Sequence, residues 1–227
     1  MGKVQIIEKL FLYIAIYSYL ILPISLFFCK DKKGFPLIIA IYGIVAFAMM
    51  RLFEHLSLSL QYIYLIVYTL IEYLFFAFFL YISIKNRKLK YLILGISVSF
   101  ALFQLIVGSN AHRLDSVSIG IETILLFIFI FLFFYDHSKN IKAGYIYYHP
   151  TFMISVGILV YLGLSFFFNI LANYMSEAEF AMYWHYTYIA EIIKNIFFAV
   201  AILMTSRHNK IPSLRQTQVP YLDMDIN

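Results

Sequence analysis

Apolar residues fill this chain in seven long blocks, separated by short polar and mostly basic segments. The blocks run Leu10–Phe28, Phe35–Met50, Ser57–Ile84, Tyr91–Ser109, Val117–Tyr135, Pro150–Ala172 and Met182–Met204. Crossing a bilayer core takes about 20 apolar residues of α-helix, so each block predicts a membrane-spanning helix. Phe35–Met50 is the shortest, and its helix is expected to extend through Arg51 to Glu54, whose charges then reach the interface. Lys30–Gly34 and Lys85–Lys90 are too short to join anything but antiparallel neighbours. Asp136–His149 is longer, and Pro150 suits the first turn of the sixth helix, where its missing N–H would be unpaired anyway. The pattern predicts an all-α, polytopic seven-transmembrane-helix bundle over residues 1–205 and a short polar cytoplasmic tail over residues 206–227.

Within the blocks, local signals refine the helices. Leu10–Phe28 is too long for the apolar region of a signal peptide and no small-residue cleavage site follows it, so it reads as a retained first helix. Pro23 should kink that helix, because its ring removes a backbone hydrogen bond and crowds the preceding turn. In the fourth block, Gly95-x-x-x-Ser99 and Ser97-x-x-x-Ala101 have a spacing that lets backbones approach closely, which predicts a helix inside the bundle. Tyrosines near span ends, including Tyr13, Tyr81, Tyr91, Tyr135 and Tyr183, fit an interfacial aromatic belt.

Charge supplies an orientation. Seven threadings put Lys30, Lys32, Lys33, Lys85, Arg87, Lys88, Lys90, Lys139, Lys142, Arg207, Lys210 and Arg215 on one face. The other face keeps only Lys3, Lys9, Arg51 and Arg113, so the positive-inside rule places the N-terminus outside and the C-terminus in the cytoplasm. This asymmetry accounts for the formal net charge of +5 without nucleic acid as a partner. With 63% hydrophobic and 13% charged residues, the chain has about half the charge of a soluble domain. Cys29 is the only cysteine, so neither an internal disulfide nor a cysteine-based metal site is available.

Four ionisable residues lie within blocks, where each costs about 2.5–3.5 kcal/mol at a helix centre on insertion scales. They are Glu72 in the third, Glu122 in the fifth, and Glu191 and Lys194 in the seventh. On the last helix, three-to-four residue spacing groups Thr187, Glu191 and Lys194 on one face and Tyr188, Glu191 and Asn195 on an adjacent one, giving a polar strip toward the interior. One lysine neutralises one carboxylate; a buried carboxylate without a partner takes up a proton or faces water. Lys194 is expected to face inward within reach of Glu72 or Glu122, with Glu191 a weaker partner on the same helix. The outer half also holds Arg51, Glu54, His55, Gln61, Gln104, Asn110, Asn169, Asn173 and His185, which together point to a polar cavity open to the outside.

Catalytic signatures are missing: no His-Glu-x-x-His, Gly-x-Ser-x-Gly or phosphate-cradling glycine loop occurs, and the six histidines are scattered. No cofactor or metal is expected. A lysine at the middle of the seventh helix and a glutamate at the middle of the third resemble the layout of retinal-binding rhodopsins, which would give Lys194 the chromophore and Glu72 its counter-charge. Trp184 is, however, the only tryptophan, and Glu191 precedes the lysine by three residues rather than that family's four. Pro150-Thr151-Phe152, Gly157-Ile158-Leu159, Tyr161, Trp184 and Asn195-Ile196-Phe197-Phe198-Ala199 resemble seven-helix sensor modules attached to, or encoded beside, bacterial histidine kinases. That resemblance covers the last third of the chain and implies signalling through a partner in trans. The expected function is a sensor-like receptor of a bacterial inner membrane. It would bind a small ligand or proton at Glu72, Glu122, Glu191, Lys194, Asn195, Tyr188, Gln104, Arg51 and Glu54. A small proton-coupled transporter is the alternative, and an intramembrane lipid-modifying enzyme using Glu72 and Glu122 comes after it.

Overall fold

The computed structural model describes residues 2–30, 32–53, 55–108, 116–140, 149–171, 175–176, 179, 183 and 185–208. The described residues are helical with no strand, in the order α1 (Gly2–Ser18), α2 (Ile21–Phe27), α3 (Phe35–Phe53), α4 (Leu58–Ser83), α5 (Arg87–Gly108), α6 (Ser116–Asn140), α7 (Pro150–Leu171) and α8 (His185–His208). Among the described residues, six stretches are long and apolar enough to cross a membrane: Lys9–Phe27, Phe35–Phe53, Ile63–Ser83, Arg87–Ile106, Ile119–Lys139 and His185–Thr205. The apolar part of α7, Pro150–Phe166, is shorter. This is a multi-pass helical membrane protein.

The first block is one span broken in two. Pro23 has no N–H to give to the Tyr19 carbonyl four residues back, and the helix stops at Ser18 and restarts at Ile21. The Tyr19 carbonyl instead takes the Leu22 N–H at 3.2 Å, a tighter turn. Gly43 of α3 packs into this break: a Cβ there would lie 2.8 Å from the Tyr19 carbonyl oxygen and 2.9 Å from the Leu22 Cβ. The sequence predicts the kink; the structure puts it four residues before the proline, with a glycine seated against it.

The last helix is the centre of the assembly. α8 packs along α7 and against α1, α2 and α3. Gly157 lets α7 come close, since a Cβ there would stand 2.8 Å from the Phe197 Cβ. Lipid gives helices no hydrophobic reason to associate, so packing and interhelical hydrogen bonds must hold them. The Asn195 Nδ2 donates to the Ser18 Oγ at 2.7 Å, tying α8 to α1, and the Cys29 thiol donates to the Ile202 carbonyl at 3.6 Å.

The fourth block is a correction. α5 lies at the edge, packed on α4 and more lightly on α6. Its inward stripe is Ile93, Ser97, Phe100 and Gln104, anchored where the Tyr73 hydroxyl donates to the Ser97 Oγ at 3.2 Å. Gly95 and Ser99 face outward, with nothing within 4 Å of a Cβ at Gly95. The Ser99 hydroxyl is satisfied by the Gly95 carbonyl of its own helix at 3.0 Å, so this small-residue pair joins no second helix in the fold. α3 continues through Arg51 to Phe53 as expected, whereas Glu54, Asn110, Asn173, Trp184 and the tail from residue 209 lie outside the described residues.

Candidate functional site

Lys194 sits near the middle of α8 with 0% of its surface exposed. An ammonium has three N–H donors, and each finds an acceptor: Glu72 Oε1 at 2.8 Å, the Tyr42 hydroxyl at 2.9 Å and the Tyr19 hydroxyl at 3.3 Å. The partner is thus Glu72 of α4, one of the two the sequence leaves open. Both Glu72 oxygens are occupied, because the Tyr42 hydroxyl donates to Oε1 and the Tyr161 hydroxyl to Oε2, each at 3.0 Å. Around the ammonium stand the rings of Tyr161, Tyr19, Phe76 and Tyr42, with centroids 4.0, 5.3, 5.4 and 5.5 Å from Nζ. Ring faces attract a desolvated cation by about 2 kcal/mol or more. The α1–α2 break, α3, α4, α7 and α8 therefore meet at a single saturated ion pair.

Next to this knot lies a cavity of about 410 Å³. Its wall includes Leu12 of α1, Met50 and Phe53 of α3, the first half of α4 to Glu72, the start of α6 at Glu122, the second half of α7 and the start of α8 to Glu191. All belong to the half of the bundle away from the lysine-rich connections. Three carboxylates face one space, but only Glu72 has an ammonium. Glu122 and Glu191 form no ion pair among the described residues, and the Glu191 Oε2 and the Tyr64 hydroxyl are buried without a hydrogen-bond partner. Glu72, Tyr68 and Tyr161 belong to both regions: all three line the cavity, and the Tyr68 hydroxyl bonds that of Tyr19 at 3.3 Å.

The site residues expected from sequence separate into groups. Glu72, Glu122, Glu191 and Tyr188 line the cavity. Lys194 is fully buried and is not part of the cavity wall, so its nitrogen is held by the knot rather than presented to a chromophore. Asn195 is buried and brackets α8 to α1. Gln104 is buried on the inward face of α5, Arg51 is half-buried at the end of α3, and neither lines the cavity; Glu54 lies outside the described residues. Sequence reasoning missed Tyr19, Tyr42, Tyr64 and Tyr68. For Tyr19, Tyr42 and Tyr68 the available signal was depth, since a tyrosine inside a span is not at the interface where the aromatic belt forms; Tyr64 lies at the start of its span and gives no such signal.

Among the described residues, no group of three or more His, Cys, Asp or Glu side chains converges to hold a metal ion. What the arrangement offers chemically is a pocket of small-molecule size, apolar over much of its wall, carrying uncompensated acceptors beside a charge pair that shares its wall. No protein-family model matches this chain, and no characterised protein or solved structure shows significant similarity to it.

Proposed function

We propose that this protein is a seven-span membrane receptor of the sensor type. In this reading its N-terminus is outside and its C-terminus cytoplasmic, and the cavity receives a small ligand or proton from the outer side. The observation that carries the proposal is the shared wall: Glu72 holds Lys194 on one side and faces the cavity on the other. An occupant that recruits Glu72 or Tyr161 loosens the bonds on Lys194. α8, which carries both Lys194 and Glu191, is then free to move against the α1–α2 break. A ligand shifts such an equilibrium only by binding one arrangement better than the other. The readout would be a change in the cytoplasmic end of α8 or the basic connections, passed to a signalling partner in the bacterial inner membrane or the cytoplasm.

The test is a panel of small molecules and pH steps in thermal-shift measurements on wild type and Glu191→Gln. We expect at least one condition to stabilise wild type and to lose that effect in the variant. Equal responses of both proteins to every condition would remove the cavity from the reading. A proton-coupled transporter is favoured instead if reconstituted vesicles move protons in a substrate-dependent and Glu72-dependent way, because uncompensated intramembrane carboxylates are also components of proton relays.

A further inference from the structure

The cavity's charge and its unfilled hydrogen bonds narrow the class of ligand. Three carboxylates and one ammonium contribute to this region, and the ammonium is already bound on all three of its donors. An anion entering here would meet Glu122 and Glu191 with no free ammonium donor to receive it. A neutral occupant would leave both as protonated acids, the form a buried carboxylate takes without a partner. A cation is the occupant that lets them ionise, because a buried charge is kept when it is paired, so the complementary component is positive.

Its chemistry is constrained further. A bare metal ion would need several oxygens at about 2.0–2.6 Å, and among the described residues no three or more His, Cys, Asp or Glu side chains converge to help supply them. The space of about 410 Å³ falls within the 300–1,000 Å³ typical of small-molecule sites. Leu12, Met50, Phe53 and Leu65 supply apolar surface for a carbon body. The two unpartnered groups in the wall, Glu191 Oε2 and the Tyr64 hydroxyl, belong to side chains only 7% and 8% exposed. Both can accept an N–H.

We propose that the cavity binds a small organic ammonium, a protonated amine on an apolar body, with Glu191 and Glu122 as its counter-charge and the Tyr64 hydroxyl as a further acceptor. This rests on the ligand-binding reading above and specifies it. A protonated amine resembles the Lys194 side chain in charge and donors. It therefore competes for the Glu72 and Tyr161 oxygens that the cavity and the knot share, which is how occupancy would reach α8.

The experiment uses full-length protein in nanodiscs, with empty nanodiscs as the partition control, and three probes of similar shape: phenethylammonium, phenethyl alcohol and hydrocinnamate. Calorimetric titration should show saturable binding of the ammonium. The alcohol and the anion should bind at least about tenfold more weakly. Ammonium affinity should fall by roughly tenfold in Glu191→Gln and in Glu122→Gln, the scale of one lost charge-assisted hydrogen bond, and by a few-fold in Tyr64→Phe. If Glu191→Gln does not fold, the other two variants decide the outcome. Ammonium binding that is unchanged in the variants overturns the proposal. So does alcohol or hydrocinnamate binding as tightly in a Glu191-dependent way, although the ligand-cavity reading then survives. If no probe binds but a pH step still stabilises wild type more than Glu191→Gln, the ammonium is wrong and a proton site remains. If neither probe nor pH gives a Glu191-dependent response, both readings fall.

Discussion

Two acidic regions a helical turn apart on α8 are built in opposite ways. At Lys194 every donor has an acceptor, both Glu72 oxygens are taken, and aromatic rings surround the charge. Three residues earlier, the Glu191 Oε2 has no hydrogen-bond partner, and neither Glu191 nor Glu122 forms an ion pair among the described residues. In a low-dielectric interior a fully satisfied polar network rigidifies the fold, whereas an unsatisfied group is costly to keep. The first arrangement explains how the bundle is held together. The second is not explained by stability at all, which is why function is sought in the cavity and not at the more conspicuous lysine.

The largest expected effect tests the saturated side. Lys194→Met leaves Glu72 buried with only its tyrosine donors, and breaking a buried pair from one side costs about 3–5 kcal/mol. Adding Glu72→Gln removes the orphaned charge and should restore a substantial part of that loss in thermal unfolding in nanodiscs. Adding Glu191→Gln to Lys194→Met should restore far less, because Glu191 is not the partner in the pair. Equal recovery from both double variants would mean that the ammonium serves the two carboxylates alike, and the distinction between the regions would disappear.

How much of this was legible in the sequence follows from which forces act in one dimension. The spans are readable because a bilayer demands contiguous apolar length, and the need for a buried partner to Lys194 is readable because charges must balance. The tyrosine shell is different. Tyr19, Tyr42, Tyr68 and Tyr161 come from elements far apart in the chain, and they converge only for one rotation of each helix about its axis. Helices that are apolar nearly all round give no stripe from which to read that rotation. The same blindness misplaced α5, where Gly95 and Ser99 have the right spacing for a helix contact but face outward. The break before Pro23 was expected; its role in setting the Tyr19 hydroxyl beside Lys194 was not, since that depends on where α8 passes.

A middle-sized effect probes how firmly the knot is framed. Gly43→Ala would drive a Cβ to 2.8 Å from the Tyr19 carbonyl oxygen and 2.9 Å from the Leu22 Cβ. The first of these is backbone that cannot swing aside, and overpacking of this kind costs about 1–3 kcal/mol. Gly95→Ala is the matched control: with nothing within 4 Å, it should leave stability unchanged or raise it by about 0.5–1 kcal/mol through helix propensity. Thermal unfolding of the two variants side by side gives the answer. If Gly43→Ala is as harmless as Gly95→Ala, the break in the first span is loosely held and does not fix Tyr19.

The last comparison, which includes the smallest expected effect, distinguishes the two regions by sign. Tyr42→Phe removes a hydroxyl that accepts from Lys194 and donates to Glu72. It leaves a buried ammonium donor unmet and should cost about 1–3 kcal/mol. Tyr64→Phe removes a hydroxyl that is buried and has no partner. Its loss relieves a desolvated group and takes nothing from a network, so stability should stay level or rise by up to about 1 kcal/mol. Both substitutions delete one oxygen from a buried tyrosine, and unfolding curves collected without ligand compare them directly. A loss at Tyr64 as large as that at Tyr42 would mean that this hydroxyl is already satisfied. The cavity would then lack one of the two unfilled acceptors on which its reading as a binding site depends.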